Sequence, residues 1–103
     1  MDALTSKAQD HLGRSAELSQ QARARGVTPD EQVRLSHVAD AHRFAGSAHY
    51  FLAGNSPARA REALRESQNS FGRAQAMVRP GDTSSNDNGH LNDAHHALNA
   101  RLS

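Results

Sequence analysis

The sequence predicts an all-α fold, an up-down bundle of three long helices followed by a short C-terminal helix. Three observations carry this expectation: paired helix start and stop signals, apolar residues recurring at helical spacing, and a composition led by alanine. Eighteen of the 103 residues are Ala, the strongest helix former. One domain is all this length supports, divided into a bundle core over residues 1–80, a polar tether over 81–89 and a last helix over 90–103.

Residues 1–25 form the first expected helix, with Leu4, Ala8, Leu12, Ala16, Leu18 and Ala22 along its inner stripe and Ser15 and Ser19 beside them. Asp10 and Arg14 stand at the i, i+4 spacing of an ion pair. Gly26 closes this helix.

The stretch from Thr28 to Val78 organises the rest and reads as a helical hairpin. Thr28-Pro29-Asp30-Glu31 is a capping box, in which the Thr hydroxyl accepts from the N–H three residues on. Pro29 occupies the first helical position, where its missing N–H has no consequence. The helix then runs to about Ala53, with Gly54 as its left-handed stop. Ser56-Pro57 repeats the start signal, and a third helix runs to about Val78 before Pro80-Gly81. So short a connection requires antiparallel neighbours.

The second helix carries two adjacent apolar stripes. Leu35, Val38, His42, Ala45, His49 and Leu52 form one; Ala41, Phe44, Ala48 and Phe51 form the other, with Val33 completing an arc of roughly 200° where an outer helix needs about 100°. This helix is therefore expected to be central. The third helix has a narrower stripe of Ala60, Ala63, Leu64, Ser67, Phe71, Ala74, Met77 and Val78. Leu64→Ala and Phe71→Ala are expected to be damaging, and Arg61→Ala, outside that stripe, nearly neutral.

Gly81–Gly89 is rich in turn formers and holds no core residue. The helix after it has Leu91, Ala94, His95, Leu98 and Leu102 on one face. At about 13 residues it needs a surface to dock on.

Leu, Val and Phe number only 16 and Ile is absent, so the expected core is thin and open to support from a second chain. Cysteine is absent, which removes disulfides and thiolate metal sites and fits a reducing, cytoplasmic setting. Met1–Gln21 is polar, with no apolar run beyond two residues, and reads as neither signal peptide nor membrane span. A net charge of +1 is too small to imply polyanion binding by itself. Eleven Arg against one Lys, together with the Ala content, suggests a GC-rich bacterial or phage genome.

No motif points to catalysis, and an enzyme is not expected. Ser47 and His49 project about 200° apart on one helix, which forbids a nucleophile–base pair. No cofactor is implied. The leading expectation is a non-enzymatic protein–protein interaction module that binds another chain, its own copy or a foreign one, through Val33, Ala41, Phe44, Ala48 and Phe51. A first alternative is nucleic-acid association through Arg59, Arg61, Arg65 and Arg73, against which Glu62 and Glu66 lie on the same helix. A second is a metal- or pH-sensing bundle built on His11, His42, His49 and His95, four of seven histidines in the chain. Pairing the first two helices about Val27 brings His11 and His42 to similar height. Neutral imidazoles converging from several helices suit Zn, Ni or Cu, whereas isolated ones hydrogen-bond a carbonyl or hydroxyl at the core edge. His90, Asp93 and His96 fan over about 120° of the last helix and do not share a metal.

Ala45-Gly46-Ser47-Ala48-His49-Tyr50, then Gly54 and Ala60, resembles the helix pair of a tetratricopeptide repeat over roughly 35 residues. The resemblance implies a helical surface that binds peptide or protein. His49 stands where that family usually has an aromatic residue, the second helix overruns the unit, and no other stretch repeats it. No family is assigned on this basis.

Overall fold

A computed structural model describes residues 3–77 and 85–102, and places them in four helices with no strand among them. These are α1 (Ala3–Ala22), α2 (Pro29–Ala53), α3 (Pro57–Ala76) and α4 (Ser85–Leu102). The described body measures 42 × 23 × 19 Å. Among these residues no helix is long and apolar enough to cross a membrane.

The helix ends follow local chemistry. The Glu31 N–H donates to Thr28 Oγ1 at 3.2 Å, which makes the first half of the expected capping box. The Glu31 carboxylate pairs with Arg34, one turn further on. Gly26 takes φ 85° after α1, a conformation that a side chain at Cβ disfavours. After α2 the left-handed residue is Asn55, at φ 61°, and Gly54 lies at φ −85°. Asn accepts this conformation more readily than other residues that carry a Cβ, so the turn is made one residue later than expected. Arg14 pairs with Glu17 at 3.0 Å. Helix α4 starts at Ser85, inside the stretch expected to be tether. Ser, Asn and Asp favour the first turn of a helix as much as they favour turns. Residues 78–84, with Val78 and the first part of the expected tether, lie outside the described residues.

Helix α2 is the centre, as its wide apolar arc implies. Helices α1 and α3 pack along its two sides without approaching each other, and α4 lies across α2 and α3. On the α1 side the helices come close at Gly46, where an added Cβ would stand 3.0 Å from the Ala8 carbonyl oxygen and 3.0 Å from Leu12 Cγ. The Ser15 hydroxyl donates to the Ala39 carbonyl there, at 2.8 Å. On the α3 side Ala48 meets Ala60, Ala63 and Leu64. Small residues at both contacts let backbones approach, which is how so few large side chains close a core.

Helix α4 buries the five residues expected of its inner face: Leu91, Ala94, His95, Leu98 and Leu102. Leu91 joins Leu18, Leu35, Val38 and Phe71 at one end, and Leu98 and Leu102 join Ala60 and Leu64 at the other. It therefore docks on its own chain. It covers the Leu35–His42–His49 stripe, however, and leaves the Phe44–Phe51 edge open. Ala41 and Ala48 are small enough for α3 to close over them, which consumes half of the second stripe and frees the first for α4.

The Arg61 guanidinium donates twice to the Leu102 carbonyl, from Nε at 3.2 Å and Nη2 at 2.8 Å. It thus satisfies a carbonyl in the last turn of α4, at the negative end of the helix dipole. This overturns the expectation of a neutral substitution. Arg61→Ala is expected to lower stability by about 1–2 kcal/mol, since a charge-assisted hydrogen bond is lost. The loss should concentrate in the last turn of α4. Thermal melting with amide exchange on that turn measures it, and wild-type protection in the variant would refute the contact.

Candidate functional site

Two features of the fold hold residues with chemistry: a groove along the open edge of α2, and a group of histidines in its interior.

The groove, of about 620 Å³, runs between α2 and α3 and is lined by Phe44, Ser47 and Phe51 on one side and Arg59, Glu62, Ala63 and Glu66 on the other. Both Phe rings are half-buried. Arg43 lies over the Phe44 ring at 4.8 Å from its centroid, a cation–π contact, and stands 3.7 Å from Asp40. Val33, at 46% exposure, is an exposed large apolar side chain on the same helix. Of the five residues expected to bind a partner, Val33, Phe44 and Phe51 reach the surface. Ala41 and Ala48 have no exposed area and belong to the packing between α2 and α3, which corrects their assignment.

The four arginines considered for nucleic acid do not form one face. Arg59 borders the groove beside Glu62 and Glu66. Arg61 is engaged with Leu102, and with Arg65 lines a cleft against Asn99 and Leu102. Arg73 is exposed in the last turn of α3.

His11, His42, His49 and His95 converge in the interior, each at 7% exposure or less. His11 Nδ1 and His42 Nδ1 are 2.9 Å apart, so the approach expected from sequence is made. One of these nitrogens donates and the other accepts, because two N–H groups cannot face one another at this distance. His49 stacks on His11 with ring centroids 5.3 Å apart, and its Nδ1–H donates to the Ala45 carbonyl at 2.7 Å.

The tautomer of His95 follows from Ser67. The Ser67 hydroxyl lies 2.7 Å from the Ala41 carbonyl and 2.6 Å from His95 Nε2. A carbonyl only accepts, so the single hydroxyl proton goes to Ala41, and His95 Nε2–H donates to Ser67 Oγ. Phe71 meets the His95 ring edge-on, with centroids 5.6 Å apart. Burial first, and His42 second, lower the His95 pKa from its ordinary 6.5 to about 4. His95 is thus held neutral at pH 7.

A cleft of about 140 Å³ opens on this group between α1 and α4, lined by His11 and His49 with Lys7, Asp10, Asp93, Ala94 and Ala97. Among the described residues no three His, Cys, Asp or Glu side chains are arranged to hold a metal ion. Asp93 and His96 are exposed; the side chain of His90 lies outside the described residues.

Sequence reasoning found all four buried histidines by their helical spacing. It missed Ser67 as the hydrogen-bonding partner of His95, although a Ser inside an apolar stripe is the signal that a polar group must be satisfied there. Compared with protein-family models, with curated proteins and with solved structures, the chain finds no match.

Proposed function

We propose that this chain is a non-enzymatic helical interaction module that pairs with a second copy of itself along the Phe44–Phe51 groove. The observation that carries this reading is the groove itself. It presents two half-buried aromatic rings on the edge of α2 that the neighbouring helices cover only in part. Covering such rings is worth about 1.5–3 kcal/mol for each fully buried side chain, and an open apolar edge of this kind marks an interaction surface.

The charges of the rim favour a copy of the same chain over a partner of one sign. Arg59 stands at one end of the α3 border and Glu66 at the other, two turns away. A twofold axis near Glu62 brings Arg59 of each chain opposite Glu66 of the other, in the self-complementary manner of a symmetric dimer. A polyanion would gain from Arg59 and lose to Glu62 and Glu66. Arg61 is also engaged with the end of α4, which favours the protein-pairing reading over nucleic acid.

The test is molecular mass against concentration by sedimentation, with a charge exchange. Wild type is expected to dimerise, and Phe51→Asp to be a folded monomer. Arg59→Glu and Glu66→Arg should each weaken self-association. Mixing these two variants should restore a dimer, since each then offers the other opposite charges at both ends. A wild-type chain that stays monomeric at several hundred micromolar refutes self-pairing, and so does a mixture no more associated than its components.

A further inference from the structure

From the burial of His95 on α4, with its Nε2–H on Ser67 and its ring edge against Phe71, we infer that the seat of α4 is proton-gated: the helix stays docked while His95 is neutral, and proton uptake there releases it from α2 and α3. The hydrogen bonds limit how many protons the arrangement accepts. Between His11 Nδ1 and His42 Nδ1 there is room for one. His49 already uses its Nδ1–H on the Ala45 carbonyl, and His95 its Nε2–H on Ser67. A further proton on His95 creates a cation in an interior shared with three other imidazoles.

Several groups border the cluster. From α1 come Lys7 and Asp10, and from α4 Asp93; all three are exposed, at the mouth of the 140 Å³ cleft. From α3 come Ser67 and Phe71, neither of which carries charge. The two carboxylates favour a proton and Lys7 opposes it, both from positions screened by solvent. The cleft reaches His11 and His49 directly and gives protons and water a way in.

Release falls on α4 because of how the chain is joined. Helix α4 rests on α2 and α3 and makes no close backbone approach to α1, whereas α1, α2 and α3 hold each other through two hairpin interfaces. When α4 leaves, His95 goes with it into water, and His42 and His49 lose their cover.

The sign follows from His95. Its value in the folded chain lies below the ordinary one, so the neutral ring favours the docked state fully above about pH 6.5, and that contribution fades as the pH falls toward 4. His95 alone weakens docking roughly tenfold to a hundredfold between pH 7 and pH 4.5.

The experiment is amide hydrogen exchange on the full chain from pH 7.5 to 4.5, corrected for intrinsic rates, with side-chain proton resonances of the histidines followed in parallel. Amides of α4 should lose protection roughly tenfold to a hundredfold over this range while those of α1, α2 and α3 keep theirs, and the loss should track the protonation of His95. His95→Gln retains a donor toward Ser67 and removes the titration, so its loss of protection should move to lower pH. His96→Gln, on the exposed side of the same helix, should leave it in place. Constant α4 protection down to pH 4.5 overturns the inference. So does loss of protection in all four helices at one pH, which is ordinary acid unfolding. An unshifted transition in His95→Gln overturns it as well, and if that variant does not fold, the wild-type exchange and titration data still decide.

Discussion

Phe71→Ala is expected to destabilise the chain by about 3–5 kcal/mol, the range for truncating an aromatic residue in a packed core. Phe71 is 8% exposed and lies in the cluster that joins α1, α2 and α4 through Leu18, Leu35, Val38 and Leu91. The alanine side chains around it, Ala39, Ala41, Ala45 and Ala74, have no rotamers with which to fill the space. The cavity therefore persists instead of collapsing, which places the cost high in its range. It also opens beside His95, whose ring edge Phe71 covers. Water entering there would bring the His95 pKa back toward its ordinary value. A domain of this size is expected near the lower end of the usual 5–15 kcal/mol, so the variant should be largely unfolded at 37 °C. Urea denaturation followed by circular dichroism reads the result. A midpoint within error of wild type would show that Phe71 is not the centre of that cluster.

Leu98→Ala is the second large effect, about 2–5 kcal/mol by the same reasoning, but it takes a different form. Leu98 is 1% exposed and packs with Ala48, Ala60, Ala63, Leu64 and Leu102. Its contacts tie α4 to α2 and α3. Once they weaken enough for α4 to separate, the rest of the bundle feels no further loss. The expected signature is therefore local: protection of α4 amides falls sharply, while the three-helix body unfolds at nearly the wild-type urea concentration. Asn99→Ala, at an exposed neighbouring position, should change little. Equal losses in all four helices would mean that α4 is an inseparable part of the cooperative unit.

The helices were legible in the sequence because their signals are local. Thr28-Pro29 starts α2, Gly26 ends the turn after α1, and the face of α4 from Leu91 to Leu102 is spaced as a helix must space it. The pairing of His11 with His42 was also legible, since a short link forces α1 and α2 to run antiparallel. What the sequence left open was which stripe of α2 receives which helix. Ala41 and Ala48 look like part of an open apolar face until the depth at which α3 packs is known, and that depth depends on Ala60 and Ala63 opposite. The role of Arg61 was hidden for a related reason. Its acceptor, the Leu102 carbonyl, lies 41 residues away at the end of a helix whose seat was undetermined. The start of α4 at Ser85 was obscured because turn and first-turn residues are the same residue types.

The central position of α2 also bears on how the chain reaches this structure. Among the described residues the backbones of α1 and α3 make no close approach, so the body amounts to two overlapping hairpins that share one helix, each built from neighbours in sequence. Loops as short as those at Gly26 and Asn55 make closure entropically cheap, and contacts between adjacent helices keep the contact order low. Either hairpin is able to nucleate on α2 without waiting for the other. Helix α4 is different: its partners include Leu18 and Leu35, more than fifty residues back along the chain, and its seat exists only after both hairpins have formed. Refolding from denaturant is thus set to proceed by fast collapse of the hairpins onto α2, which brings His11 against His42 and His49, followed by a separate closing step in which α4 arrives and carries His95 out of water.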